Sequence, residues 1–337
     1  MQELMNSGIS GVGMAVPERI MTNADIEQLV ETSNEWIVTR TGIKERRVSA
    51  PDETVASLGA KAAMLALENA GVTADKIDLI ICATTTGDFL WPATACLIQK
   101  DIGAVNAAAF DISAACSGFV YALSVADGYI RTGSMKNVLV IGADTLTKQL
   151  NWQDRNTCVL FGDGAGAVLL TPTQPGYGIL SFTLGTDGGK FDVIGIRGGG
   201  TRYPLTHEGL DLKANTIVMR GSEVFKFAVK IMGDASLDAL EKAHLTIKDI
   251  DLYIPHQANL RIIKAAADRM GLDENRIFLN VEKYGNTSAA SIPIAMTEAV
   301  QSGRIKPGDV IVTVGFGAGL TWGANVIRWG CQNGGMA

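Results

Sequence analysis

Leu67-Glu68-Asn69-Ala70-Gly71-Val72-Thr73-Ala74-Asp75-Lys76-Ile77-Asp78-Leu79-Ile80-Ile81 aligns without gaps on Leu240-Glu241-Lys242-Ala243-His244-Leu245-Thr246-Ile247-Lys248-Asp249-Ile250-Asp251-Leu252-Tyr253-Ile254. Each stretch reads as the end of a helix, a short connection and a strand opening on Ile-Asp-Leu. Self-similarity of this kind signals one supersecondary unit used twice. Further out, Asn137 to Gly142 is answered by Asp309 to Gly315. Each half closes on a Gly-Ala-Gly strand, at Gly164 to Leu170 and at Gly317 to Ile327. Strands alternating with helices imply parallel crossover units. The sequence therefore predicts an α/β protein of two similar halves, 1–175 and 176–337, with a linker at Thr171 to Gly176.

Local signals fill in the first half. Ser7 to Met14 reads as a strand, and Asn23 as the cap of a helix over Ala24 to Glu31. Thr54 to Ala70 has helical periodicity and Gly71 as its stop. Ile77 to Ala83 is a strand, Thr84 to Pro92 a loop, and Ala93 to Asp101 a helix.

Composition narrows the class. With 337 residues, 47% hydrophobic and 19% charged, the chain can bury a large core. Its 38 glycines and 9 prolines suit tight strand–helix turns and argue against disorder. The five cysteines (Cys82, Cys96, Cys116, Cys158, Cys331) are odd in number and contain no C-x-x-C pair. That disfavours a disulfide framework or a zinc site and fits a reducing cytoplasm. No basic segment leads into an apolar core at the N-terminus, so no signal peptide is predicted. The longest uncharged stretch, Ala165 to Thr186, holds Pro172 and Pro175 and does not read as a membrane span. A net charge of −6 gives nucleic-acid binding no global support.

Four turns carry candidate chemistry. In Asp111-Ile112-Ser113-Ala114-Ala115-Cys116-Ser117-Gly118-Phe119, Cys116 falls between an apolar run that reads as a buried strand (Asn106 to Phe110) and a largely apolar helix (Gly118 to Ile130). A helix N-terminus favours the thiolate and lowers a thiol pKa by about one unit or more. The competing reading is a buried structural cysteine. His256, in Pro255-His256-Gln257-Ala258-Asn259-Leu260-Arg261, follows the strand Leu252 to Ile254, and parallel sheets hold ligands at the carboxyl ends of their strands. A lone histidine also serves structure, as His207 and His244 are expected to do in polar surroundings. Asn286 sits in Tyr284-Gly285-Asn286-Thr287-Ser288, where it is either functional or a helix cap. The glycine-flanked turn Phe316-Gly317-Ala318-Gly319-Leu320 can offer a backbone N–H to an oxyanion. Cys, His and Asn together support nucleophilic thioester chemistry, but spacing does not show that they converge.

Two more stretches bear on ligands. Thr32 to Arg47 is dense in polar groups around Trp36. It reads either as solvated surface or as a lid over a polyanion, with Trp36 stacking and Arg40 on phosphate. Phe161-Gly162-Asp163-Gly164-Ala165-Gly166-Ala167 lacks the phosphate-loop pattern, and close backbone packing accounts for it better.

These motifs, taken together, resemble a family. Ala114 to Phe119 (AACSGF), Pro255 to Ile263, Gly285 to Pro293 and Phe316 to Gly323 are similar to the β-ketoacyl-acyl-carrier-protein synthase III family of initiating condensing enzymes. Thr32 to Arg46 and Asp154 to Ala167 resemble it too, in the same order along nearly the whole chain. The resemblance implies a thiolase-like fold, five-layered α-β-α-β-α, and condensation of a short acyl-CoA with malonyl-acyl carrier protein without metal or redox cofactor. It implies Cys116 as acyl acceptor and His256 with Asn286 on the malonyl thioester carbonyl. The backbone N–H groups of Cys116 and Ala318 would form the oxyanion hole. Thr32, Trp36, Arg40, Arg155 and Asn259 match coenzyme A contacts. Lys226 and Arg261 match a basic surface for acyl carrier protein, which Asp268 interrupts. Trp91 matches a gate to the acyl pocket, supplied by the neighbouring subunit of a homodimer. The segment Gly185 to Asn215 looks longer than in well-known members, with no assigned role. The alternatives are a secondary-metabolism synthase making a quinolone or starting a polyketide, a thiol hydrolase, and a non-catalytic carrier-protein or CoA-binding module.

Overall fold

A computed structural model describes residues 5–330; Cys331 lies outside them. The first half runs β1 (Asn6–Ala15), β2 (Ile20–Thr22), α1 (Asn23–Glu27), α2 (Asn34–Thr41), β3 (Glu45–Arg47), α3 (Val55–Ala70), β4 (Leu79–Ala83), α4 (Thr94–Asp101), β5 (Ala108–Ile112), α5 (Gly118–Arg131), β6 (Val138–Thr145) and β7 (Asp163–Thr173). The second runs β8 (Gly178–Thr186), β9 (Ile194–Ile196), α6 (His207–Asp211), β10 (Ile217–Met219), α7 (Gly221–Lys242), β11 (Leu252–Pro255), α8 (Leu260–Met270), α9 (Val281–Tyr284), α10 (Ser291–Gln301), β12 (Val310–Gly317) and β13 (Thr321–Arg328).

The repeat is visible in the sheets. One has strand order β1-β7-β6-β4-β5 and the other β8-β13-β12-β11. The place of β5 in the second sheet is taken by a single parallel bridge, Tyr253 to Ile277. Both sheets are mixed. β4 is parallel to β5 and β6, and β11 to β12, as crossover units require. β7 and β1, like β13 and β8, run antiparallel to their neighbours.

Packing gives five layers. Residues of α3 and α4 share one apolar core with the outer face of the first sheet, and those of α7 and α8 share another with the second. Between the sheets lies a third core that takes in α5 and α10. α10 is buried nearly all round, while α5 is largely apolar but leaves Val125, Gly128 and Tyr129 exposed along one face. The one buried carboxylate of α5, Asp127, accepts from Arg131 Nε at 2.7 Å. α3 starts at Val55, one residue later than read, because Thr54 caps it reciprocally with Ser57; Gly71 ends it as expected, in the left-handed conformation at φ 65.

Several local expectations change. β5 is an edge strand with no fully buried residue, because among the described residues it pairs on one side only, with β4. Thr22, not Asn23, caps the first helix, which stops at Glu27. Asn23 is instead buried, donating to Ile43 O at 2.8 Å and accepting from Arg46 at 2.9 Å. Thr171 to Thr173 pair with β1, so the connection between halves shrinks to 174–177. Thr32 to Arg47 contains α2, capped by Ser33 and closed by Gly42. The segment 185–215, left without a role by the sequence, holds β9 and α6, and β9 pairs with β10 just beyond it into a small ribbon. No helix among the described residues is long and apolar enough to cross a membrane.

Candidate active site

Cys116 stands in a tight 3₁₀ turn, Ala115–Ser117, between β5 and α5. Ala115 adopts φ 47, a conformation that L-residues take only where the surroundings impose it. Those surroundings include the end of β12: a Cβ added at Gly317 would lie 2.6 Å from Cys116 N, so only glycine permits the approach.

His256 follows β11 directly. Its backbone N–H donates to Val314 O at 2.7 Å, fixing the turn against β12. The ring is 1% exposed and meets Phe316 edge to face, centroids 5.5 Å apart. Nδ1 lies 2.6 Å from Ser291 Oγ, while Nε2 is buried and has no partner among the described residues. Burial pushes the imidazole down to about 3, so it is neutral at physiological pH.

Asn286 is held from both sides. Its backbone N–H donates to Leu160 O at 2.8 Å, and its carbonyl accepts from Gly162 at 3.0 Å. Its side-chain Oδ1 accepts from Ser288 N–H at 2.8 Å, which turns the amide NH2 toward the cavity as a donor. Asn286 therefore does not act as a plain helix cap: α10 starts five residues later.

Cys116, His256 and Asn286 line one cavity of about 350 Å³, which runs out past Trp36, Arg40 and Asn259. Cys116 also lines a second cavity of about 280 Å³, walled by Leu146, Phe161, Ile217, Ser288 and Ala318 among others. The thiol thus sits where an outer, polar-mouthed channel meets an inner, apolar chamber. At the mouth, Arg40 and Arg155 stack on Trp36, 5.5 and 5.1 Å from its ring. Asn259 caps α8 through Arg261 N and donates to Arg40 O at 3.0 Å, so its side chain braces the mouth. Thr32 is half-buried nearby in sequence but does not line the channel.

Other expected residues stand apart. Trp91 is 85% exposed, with Leu90 at 91% and Phe89 at 61%, and its own chain does not bring it to either cavity. Lys226 and Arg261 are exposed on α7 and α8, where Arg261 covers Phe225 at 5.4 Å. Asp268 is exposed on the same helix as Arg261.

One electrostatic expectation is reversed. The Cys116 thiol is pushed up to about 12, not down. Burial is the first cause, and the negative charge of Asp144 adds to it. A hydrogen bond from Ser288 and the local backbone N–H oppose the rise without cancelling it. The sequence motif showed a helix N-terminus but not that the turn before it is closed over by the second half.

Sequence reasoning also missed the ribbon of β9 and β10. Ile194, Ile196 and Ile217 wall the inner chamber, and Met219 lines the outer channel. The local signal was limited to two short apolar triplets, Ile194-Gly195-Ile196 and Ile217-Val218-Met219, which set no period.

A duplicated five-layer body, with a buried thiol facing a neutral histidine and an asparagine amide, defines a condensing enzyme of the thiolase fold. Sequence comparison makes this specific. Residues 240–329 match the family described as 3-oxoacyl-[acyl-carrier-protein] synthase III C terminal, and residues 110–188 match 3-oxoacyl-[acyl-carrier-protein] synthase III. The β-ketoacyl-[acyl-carrier-protein] synthase III of Caldanaerobacter subterraneus subsp. tengcongensis is 53% identical over 98% of this chain and 99% of its own. The solved β-ketoacyl-[acyl-carrier-protein] synthase III of Thermus thermophilus is 48% identical, covering 96% of this chain and 99% of its own, with a TM-score of 0.89. A priming β-ketosynthase of the R1128 polyketide pathway has a TM-score of 0.91 but only 36% identity, over 99% of both chains. The chain belongs to the 3-oxoacyl-[acyl-carrier-protein] synthase III family.

Proposed function

We propose that the protein starts fatty acid synthesis by condensing a short acyl-CoA, acetyl-CoA above all, with malonyl-acyl carrier protein. What carries the reading is the position of Cys116 at the meeting of channel and chamber, with two hydrogen-bond donors beside it. Both halves, divided near 175, contribute: Cys116 from the first, His256 and Asn286 from the second.

In the first half-reaction the Cys116 sulfur attacks the thioester carbonyl of acyl-CoA. The carbonyl oxygen takes negative charge and is held by the N–H groups of Cys116 and Ala318. Coenzyme A leaves, and the proton that Cys116 gives up ends on its sulfur. Trp36 with Arg40 and Arg155 stacked on it grips the nucleotide end, with Asn259 bracing the mouth and Thr32 next to Glu31, whose carbonyl accepts from Arg155. In the second, malonyl-carrier protein enters with its thioester oxygen between His256 Nε2–H and the Asn286 amide. The bond to the carboxylate breaks, CO2 departs, and the electron pair moves into an enolate held by those donors. The enolate carbon attacks the acyl group, and the Cys116 thiolate leaves and takes a proton from solvent to return to the resting thiol. No metal or redox cofactor takes part. The test is direct: acetyl-CoA and malonyl-carrier protein should give 3-oxobutanoyl-carrier protein, coenzyme A and CO2 in equal amounts. A protein that only hydrolyses acetyl-CoA, or only binds it, would refute this.

The carrier protein is an acidic partner, and this chain is itself net negative, so docking falls to a local basic patch. Lys226 and Arg261 supply it beside the channel, since Phe225 and Asn259, their sequence neighbours, line that channel. Arg261→Glu should raise KM for malonyl-carrier protein at least tenfold more than KM for malonyl-CoA, about 1.4 kcal/mol of selective loss. The difference should fade as salt rises. An equal rise for both substrates would count against the patch.

The protein acts as a homodimer in the cytoplasm. The open edge of β5 and the exposed Phe89-Leu90-Trp91 loop form the kind of apolar surface that a second copy covers. In that arrangement Trp91 of one copy closes the inner chamber of the other. Overfilling a packed site costs about 1–3 kcal/mol, so acetyl-CoA should outcompete octanoyl-CoA. Trp91→Thr should let octanoyl-CoA acylate Cys116 while keeping the acetyl reaction. Octanoyl and acetyl groups entering the unmutated protein at equal rates would remove Trp91 as the gate.

A further inference from the structure

The hydroxyl of Ser291 decides which nitrogen of His256 carries the proton. The argument is a count of donors and acceptors. Ser291 Oγ has two neighbours at hydrogen-bonding distance, His256 Nδ1 at 2.6 Å and Gln257 N at 3.3 Å. A backbone N–H can only donate, so Oγ accepts from Gln257. The hydroxyl hydrogen must then find an acceptor. Other buried serines and threonines on these helices give theirs to the carbonyl one turn back, as Ser124 does to Val120 O, Ser236 to Met232 O and Thr297 to Pro293 O. Ser291 makes no such bond among the described residues, and its one available acceptor is Nδ1. If Nδ1 instead carried the proton, the serine hydrogen would be buried without a partner, at a cost of about 1–3 kcal/mol. With Nδ1 accepting, the imidazole proton sits on Nε2. Nε2 is the atom that is buried, unpartnered and facing the cavity shared with Cys116 and Asn286.

We infer that Ser291 is a positioning residue for the decarboxylation step: its hydroxyl holds His256 in the tautomer that presents Nε2–H to the malonyl thioester oxygen. The inference rests on the function proposed above and assigns a residue that touches no substrate. The same arrangement takes His256 out of consideration as a base for the Cys116 thiol, because a neutral Nε2–H cannot accept a proton. Ser291 therefore matters for one half-reaction and not the other. Gln257 supports the serine in turn. Its side chain is locked by four backbone groups, donating to Pro255 O and Phe278 O and accepting from Asn280 N and Val281 N. That fixes the backbone whose N–H reaches Ser291.

The experiment uses the full chain with two substitutions of matching shape, Ser291→Thr, which keeps the hydroxyl, and Ser291→Val, which does not. Ser291→Ala is the smaller companion should the branched side chains disturb α10. Two rates are read: CO2 release from malonyl-carrier protein without primer, and acetyl uptake on Cys116 from acetyl-CoA, followed by intact mass. Removing a partner that orients a histidine typically costs about 10- to 100-fold. Ser291→Val and Ser291→Ala should lose CO2 release by about that factor while acetyl uptake falls much less, and Ser291→Thr should restore the former. Equal CO2 release by the valine, alanine and unmutated proteins, with His256→Ala inactive in parallel, would overturn the role of Ser291 alone. Full CO2 release by His256→Ala would overturn the proposed function and this inference with it.

Discussion

Replacing Cys116 with alanine is expected to abolish acetyl uptake and condensation while sparing decarboxylation of the malonyl thioester. The two functions are separable because different atoms serve them. Cys116 alone offers a sulfur to the meeting point of the two cavities. His256 and Asn286 are held from outside, by Val314, Ser291, Leu160 and the backbone N–H of Ser288; only Ser288 also reaches the thiol, and it does so through its side chain. Loss of the nucleophile leaves no covalent route, so product formation should fall to background. The check is a paired assay of CO2 and 3-oxobutanoyl-carrier protein on one preparation. Condensation by Cys116→Ala at any substantial rate would refute the covalent mechanism. The thiol's raised pKa adds a condition. A group near 12 is protonated at neutral pH, so alkylation of the free protein by iodoacetamide should accelerate with rising pH well beyond the usual thiol range near 8.5.

His256→Ala is expected to give the converse pattern, with Cys116 still taking up acetyl and CO2 release lost. Removing one donor to a developing oxyanion typically costs about 100- to 1,000-fold, or about 3–4 kcal/mol. Asn286→Ala should lose a similar factor, since its NH2 is the second donor. The pH dependence follows from burial. Because His256 is pushed down to about 3, its neutral form persists well below the ordinary value of 6.5. Decarboxylation by Cys116→Ala should therefore show no loss of rate as pH falls from 7.5 to about 5, where an exposed histidine near 6.5 would have protonated. A break near pH 6.5 would mean that the ring is more solvated than its 1% exposure implies. Stability, unlike the decarboxylation rate, falls as the pH drops below 6.5. A buried neutral histidine contributes nothing to acid lability above 6.5 and favours unfolding progressively below it, as the unfolded chain binds a proton that the folded one refuses until about 3.

Much of this architecture could be read from the chain because the repeat is local. Residues 67–81 and 240–254 carry helix end, connection and strand within one continuous stretch, and both fold as read, into the end of α3 or α7 and then β4 or β11. Strand direction could not be read the same way. Buried strands such as β6 and β7 are apolar on both faces, so neither shows by its pattern that they run antiparallel. The catalytic candidates were visible as small-residue turns, but their partners were not. Ser291 reaches His256 across 35 residues of sequence, and nothing in the run Ser288-Ala289-Ala290-Ser291 marks one hydroxyl as different from another. The thiol's upward shift was hidden for a related reason. A helix N-terminus is written in local sequence, whereas the burial that outweighs it comes from Gly317 packed on Cys116 from the far end of the chain. β9 and β10 are three residues each, too short for periodicity to register. Trp91 shows a different limit: the single chain leaves it 85% exposed, so its place in any pocket depends on a second copy.

Intact-mass spectrometry through a two-step chase tests the central claim most directly. The protein is mixed with acetyl-CoA, freed of excess, and then given malonyl-carrier protein. The account predicts one acetyl group per chain, absent in Cys116→Ala, that disappears in the second step as 3-oxobutanoyl-carrier protein forms. An unmodified protein after the first step, or an acetyl group lost as free acetate with no 3-oxobutanoyl product in the second, would contradict it.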